Sequence, residues 1–402
     1  MSQSQETRDP STDDAVEKSA STPVPTILQV VPALERGGVE RGAVDMAAAI
    51  EAGGGRAIVA SAGGAMESEL RRTGAKHVKL PLNEKNPAAI WANIDRLREV
   101  IEQNGANLVH ARSRAPAWSA MHAARKAGVP FMTTFHSAYG HGNPFKRLYN
   151  SVMVRGARVI AVSDFIGRHI KATYRIDPSK IRVVPRGIDP DRYDPDKVSV
   201  ERVIDLATKW CLPEDRRTIL LPGRLTRLKG HTTLIKALVD LPDDVFAVCL
   251  GADKNNRRYQ TELENLADEL GVRSKLAVVE ACRDMPAAYS LAHVVVNPST
   301  VPEGFARTVA EAQCMGRPVV VTNLGAPAEL ILEGETGWSV PPGNPKALAA
   351  AISEIIALKN DTRKFLATKA RLNMTSHFTL AAMTDATLDV YEEVLRESGF
   401  PG

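Results

Sequence analysis

The sequence predicts an α/β protein of two domains, each a parallel sheet covered by helices, with the sheets facing a central cleft. Three observations carry this. Short β-branched runs alternate with alanine-rich helical stretches along the chain, as in parallel sheets covered on both faces. A length of 402 residues suits two domains better than one. The alternation breaks once, at Arg186–Pro195 (RGIDPDRYDP), where Pro and Asp forbid a regular element.

In the first half, strands are expected at Thr26–Val31, Arg56–Ser61, His77–Leu82, Leu108–Ala111, Phe131–Phe135, Val159–Ser163 and Arg182–Pro185. Helices fall between them, among them Gly42–Ala52 and Ala115–Ala127. The second half restarts the pattern at Thr218–Pro222, Val245–Gly251, Leu276–Glu280, Val294–Pro298 and Val319–Thr322. The divisions drawn are a polar tail at 1–24, read as disordered, a domain at 25–187, a connection at 188–215, a domain at 216–374 and a final helical segment at 375–402. In open α/β sheets, ligands bind beyond the carboxyl ends of the strands, so motifs there take priority.

Composition narrows the classes. No apolar run reaches the ~18 residues of a membrane span, and the polar N-terminus has no apolar signal core. Cys211, Cys249, Cys282 and Cys314 show no CxxC spacing, which points to reduced thiols and a cytoplasmic protein. Between Gln103 and Ser163 stand eight Lys/Arg and no Asp/Glu, an excess that favours an anionic partner. That stretch lacks interleaved aromatics, so nucleic acid is not expected.

The densest motif is Pro302–Met315 (PEGFARTVAEAQCM). Glu303 lies in the loop after a strand and Glu311 in the helix that follows. The intervening Gly304, Phe305, Ala306, Arg307 and Thr308 offer free amides at a helix start, suited to an anion, while carboxylates on each side can grip hydroxyls. At Leu220–Gly230 (LLPGRLTRLKG), Arg224 and Lys229 follow a strand and suit a diphosphate. Arg227 receives no role.

Three further segments are candidates. Gly37 and Gly38, with Glu40, let backbone approach a ligand after the first strand. His136 and Ser137 end the strand of TTFHS. His110 ends LVHAR, and Arg112 and Arg114 after it suit an anion. Ser163 reads as an N-cap. In Pro144–Ala157, Phe145, Leu148 and Val152 share a helical face beside Lys146 and Arg147, which suits either packing on the sheet or contact with an anionic membrane. Asp189-Pro-Asp191 and Asp194-Pro-Asp196 imitate metal-binding pairs but read as turns, so no metal is assigned.

These motifs together resemble the retaining, family 4 glycosyltransferases of GT-B fold, over nearly all of residues 26–395 and with lipopolysaccharide- and polysaccharide-type members. The resemblance implies two Rossmann-like domains, the acceptor on 25–187 and the nucleotide-sugar on 216–374, with the last helix crossing back. It implies a UDP-, GDP- or ADP-sugar donor and no cofactor. Its Glu-x7-Glu pattern puts the donor sugar on Glu303 and the ribose on Glu311. Its Gly-Arg-Leu…Lys-Gly pattern puts the diphosphate on Arg224 and Lys229. Arg283, after EAC, falls in its base-binding loop. His136 falls at its catalytic His, and Gly37, Gly38 and Glu40 on its acceptor-side loop; His110, Arg112 and Ser137, at strand ends of the same domain, join them as acceptor-side candidates. Ala306 departs from the usual Gly, and its Cβ is expected to tighten the sugar pocket. The implied activity is hexosyl transfer to a lipid-linked or glycan acceptor, anionic in character, in cell-envelope synthesis at the cytoplasmic face of the inner membrane. Competing readings are a nucleotide-sugar 2-epimerase, which needs acid/base carboxylates in the cleft, and an inactive binding protein.

Overall fold

A computed structural model describes residues 24–35, 37–140 and 142–401. The tail expected at 1–24 lies outside them apart from Val24. The first sheet holds β1 (Thr26–Val30), β2 (Arg56–Ser61), β3 (Lys76–Lys79), β4 (Leu108–Ala111), β5 (Phe131–Phe135), β6 (Val159–Ala161) and β7 (Ile181–Val183). The second holds β8 (Arg217–Pro222), β9 (Val245–Ala252), β10 (Leu276–Glu280), β11 (Val294–Asn297), β12 (Val319–Thr322) and β13 (Gly337–Val340). The orders are β3-β2-β1-β4-β5-β6-β7 and β10-β9-β8-β11-β12-β13. Every pairing in both sheets is parallel; Leu28, for example, sits between Ile58 and Val109. β13 is not among the expected strands, because Gly337 and Ser339 interrupt its apolar run.

Both faces of each sheet are buried, as parallel sheets require. Alternate residues of β1 divide between two cores, Leu28 and Val30 on one face and Ile27 and Val31 on the other. In β8, Ile219 and Leu221 face one core and Leu220 the other. The chain reverses its strand order beside β1/β4 and β8/β11, and these switch points open crevices at the carboxyl ends.

Two features tie the domains together. Helix Leu380–Glu397 lays Met383, Val390, Tyr391 and Val394 against the core of the first domain, alongside Met46 and Ile50. Arg158 and Arg182 both hold its Glu393. The chain crosses between domains twice, at Gly187–Ile188 and at Phe378–Leu380. The crossings pair, Ile188 N–H to Phe378 O at 2.9 Å and Leu380 N–H to Ile188 O at 2.7 Å. Helix Val200–Lys209, within the connection drawn at 188–215, packs on Met285–Leu291, so that part joins the second domain. No helix among the described residues is long and apolar enough to cross a membrane.

Candidate active site between the two sheets

The second domain presents both acids of the Glu-x7-Glu motif. Lys229 follows β8 and donates from Nζ to Glu303 at 2.7 Å, while the Ser299 hydroxyl donates to the other carboxylate oxygen. Lys229 reaches this position because Gly230 takes φ 74° with Pro298 O against it, a geometry closed to any side chain. Arg224 is exposed at the same strand end. Arg227 points away to Glu262 and Tyr259. Helix Arg307–Cys314 starts without a side-chain cap, leaving its first-turn amides to a ligand.

Glu311 is 6% exposed. It accepts from Tyr289 Oη at 2.9 Å and Arg307 at 3.1 Å. Burial, then the charge of Glu311, raises the Tyr289 hydroxyl well above its ordinary value. Tyr289 therefore stays a donor and fixes the carboxylate. Ala306 corrects an expectation: it is 1% exposed, with its methyl in the apolar core beside Val309 and Ala310 rather than narrowing the sugar pocket. Thr308 lies in the first turn of the same helix. Phe305 packs on cores of both domains and lies 6.3 Å from Phe378.

The first domain meets this loop directly. A Cβ on Gly304 would strike the His136 carbonyl, so glycine there lets the two backbones touch across the cleft. His136 follows β5. Its Nδ1 lies 3.2 Å from an Arg186 guanidinium nitrogen. Arg186 also donates to the Gly38 carbonyl. Since an arginine only donates, His136 accepts at Nδ1 and carries its proton on Nε2. Burial, then the Arg186 and Arg112 charges, holds its pKa well below the ordinary histidine value. Ser137 is exposed beside it.

Arg186 and Arg112 are buried with neither ion-paired to a carboxylate among the described residues. With Thr134 and His136 they line a cavity of about 20 Å³, large enough for one water. Their Nε atoms and His136 Nε2 have no partner there. Burial, then Arg307 and Arg112, pulls Arg186 down to about 9. Of the carboxylates that act on Arg186, Asp45 and Glu40, Asp45 is raised by burial despite Arg41, Arg307, Arg186 and Arg112. The cleft floor is therefore cationic. Gly37 caps helix Gly38–Ala52, Gly38 lies against Arg307, and the Glu40 carboxylate folds toward Gly37. A second cavity of about 540 Å³ lies between Gly37, Arg41, Arg192, Arg283 and Arg307, which places Arg283 on the cleft wall.

Some expected residues fall elsewhere. His110 does not reach the cleft: it is fully buried, bonded to Tyr391 Oη and Thr134 Oγ1 at 2.7 Å each. It points toward the crossing helix because its neighbours in β4, Val109 and Ala111, fill the other face. Arg114 bonds Asn150 and stacks on Tyr139. Ser163 accepts from Ile166 N–H as an N-cap. Asp189 and Asp194 accept from amides two residues ahead, as turn residues do. Pro144–Ala157 is not one helix: it tightens to 3-10 at Ser151, exposing Phe145 and Leu148 and burying Val152 and Met153.

Sequence reasoning missed Arg186, Asp45, Ser299 and Tyr289. Arg186 carried a usable signal, since it follows β7 as His136 follows β5. Asp45 and Tyr289 lie inside helices, where no strand-end rule applies.

Comparisons with known proteins agree with this geometry. Residues 36–192 match the family described as Glycosyltransferase Family 4, and residues 205–372 match Glycosyl transferases group 1. The chain is 31% identical over 297 residues to a D-inositol 3-phosphate glycosyltransferase of Xylanimonas cellulosilytica, covering 68% of this chain and 69% of that protein. A glycosyltransferase from Rickettsia africae superposes with TM-score 0.86 at 35% identity, covering 92% of this chain and 99% of that one. Anabaena HepE in complex with UDP-glucose superposes with TM-score 0.80 at 22% identity, over 92% and 99%, a likeness of fold. The chain belongs to the GT-B glycosyltransferases, with a family 4 first domain and a group 1 second domain, and is a transferase of class EC 2.4.

Proposed function

We propose that the protein is a retaining hexosyltransferase that moves a sugar from a nucleoside-diphosphate sugar to an anionic lipid-linked or glycan acceptor, in cell-envelope glycan synthesis of the lipopolysaccharide or polysaccharide type. One observation carries it: Lys229, Glu303, Gly304 and the backbone of His136 meet at one point of the cleft. A diphosphate-binding cation and a hydroxyl-binding acid thus stand beside the loop that meets the end of the His136 strand.

Arg224 and Lys229 take the diphosphate, and the amides near Ala306–Thr308 add donors. Fixed donors aimed at the leaving oxygens are worth most where water is excluded, so the proposed step uses no metal ion. When the diphosphate draws Lys229 away, Glu303 is free to accept from sugar hydroxyls. Glu311 takes the ribose. His136 stands against the donor sugar. The departing phosphate removes the acceptor proton on the same face, which gives retention.

UDP is the nucleotide favoured by the HepE structures, which hold UDP and UDP-glucose. An anionic acceptor is favoured by Arg112 and Arg186, which have no carboxylate ion pair among the described residues, and a relative named for D-inositol 3-phosphate accords with it. Exposed Phe145 and Leu148 beside Lys146 and Arg147 support work at the cytoplasmic face of a membrane. The test is to offer UDP-, GDP- and ADP-sugars with phosphorylated and neutral acceptors and to assign the product's anomeric configuration by NMR. An inverted product, or equal rates on neutral and phosphorylated acceptors, contradicts the corresponding part.

A further inference from the structure

A groove of the first domain lies at the opposite end of the sheet from the cleft. Its volume is about 620 Å³. One wall is helix Pro144–Asn150 with its 3-10 continuation Ser151–Val154, and the other is Tyr174–Lys180. These segments lead into the amino ends of β6 and β7, whereas His136 and Arg186 follow carboxyl ends. The groove is thus separate from the transfer site.

Its rim carries Arg147, Arg155, Arg175 and Lys180, all exposed. Among the described residues none of the four is ion-paired to a carboxylate. Exposed arginines elsewhere commonly are, as in Arg168–Glu329, Arg202–Asp284 and Arg227–Glu262. Arg155 rests on the Trp118 ring at 5.3 Å. The one acid on the wall, Asp177, turns its carboxylate to the Ser179 amide at 2.9 Å. The groove is not purely polar: Leu148, Val154, Tyr174 and Ile176 also line it, with Leu148 58% exposed and Phe145, next to the lining residue Pro144, 81% exposed.

Three arginines without a counter-ion, and a lysine that shares only the charge of Asp177, beside uncovered apolar side chains match a ligand with both characters. A free phosphate satisfies the rim and leaves the apolar wall wet. An acyl chain alone leaves the three arginines without an anion. We infer that this groove binds the phosphate headgroup of an anionic lipid, with the first acyl carbons against Leu148, Val154 and Ile176. The inference rests on the membrane-facing part of the function proposed above and is independent of the transfer chemistry.

The experiment uses the full chain and two variants, Arg175→Glu/Lys180→Glu and Leu148→Asp. Unliganded melting and the shift given by UDP confirm that each variant is folded with its donor site intact. Dihexanoyl phosphatidic acid below its micellar concentration is expected to raise the melting temperature of the wild type, and inorganic phosphate at equal concentration is not. Both variants are expected to lose that shift. They are also expected to bind phosphatidylcholine vesicles containing phosphatidylglycerol at least tenfold more weakly. Equal shifts from phosphate and the short-chain lipid would reduce the groove to a plain anion site and overturn the lipid assignment. Unchanged lipid and vesicle binding by the double variant would overturn the site altogether. Failure of the transferase reading shows separately, as no response to any nucleotide.

Discussion

Arg186 donates to His136 Nδ1 at 3.2 Å and, from its other terminal nitrogen, to the Gly38 carbonyl. One buried guanidinium therefore ties the ends of β5 and β7 to the start of helix Gly38–Ala52.

Arg186→Lys is expected to lower kcat/KM for a phosphorylated acceptor by about 10- to 100-fold, since lysine cannot span both partners and a charge-assisted hydrogen bond contributes about 1.5–3 kcal/mol. UDP binding by the second domain should be unchanged. Steady-state kinetics alongside UDP titration read the split, and an equal loss in both would assign Arg186 to structure alone.

Gly304→Ala places a methyl against the His136 carbonyl. The domains should no longer meet at that point. Transfer is expected to fall at least about tenfold, with overpacking costing about 1–3 kcal/mol of stability. Wild-type activity in Gly304→Ala would mean that this contact is absent from the working state.

Lys229→Ala and Glu303→Gln should separate donor phosphate from donor sugar. Lys229→Ala is expected to weaken UDP and UDP-sugar alike. Glu303→Gln should leave UDP within about threefold and weaken only the sugar-bearing form, by the ~1.5–3 kcal/mol of a charged hydrogen bond. Calorimetric titration of both ligands decides it.

His110→Ala should behave as a core mutation. It leaves Tyr391 Oη and Thr134 Oγ1 without their buried partner, a loss of about 2–5 kcal/mol with the cavity included. Chemical denaturation measures the loss, and UDP should still bind the surviving fold with wild-type affinity. A weakened UDP site at full stability would return His110 to the cleft.

Acid should destabilise the fold before its carboxylates titrate. Burial, then the Arg112 charge, lowers His110 well below its ordinary value, and His136 is lowered in the same way. Burial pulls His231 down to about 4 against the Thr226 carbonyl bond that raises it. A histidine lowered on folding binds fewer protons when native, so its stabilisation is complete above the unfolded value near 6.5 and is lost as pH falls below it. For His231 that is about 3 kcal/mol, lost progressively from about pH 6.5 to pH 4. Denaturation from pH 8 to 5 should show the decline, and His231→Gln should flatten its acid limb. A flat profile in the wild type would contradict the burial argument.

The alternation of short apolar runs with helices determined two parallel-sheet domains, because strands buried on both faces carry that pattern locally. The strand-end rule also located Lys229, Glu303 and His136 as residues at one cleft. It did not separate His136 from His110, since both stand at the end of a strand. Tyr391, 281 residues away, settles that His110 is core, and no local pattern encodes a partner at that distance. Arg186 was hidden by Pro and Asp neighbours that read as a connection. Only the packing of β7 beside β6 buries it against His136. The sequence thus determined the strands and the motifs at their ends. Which side chains face the cleft was decided by tertiary structure, because a side chain's direction depends on what packs against each face of its strand.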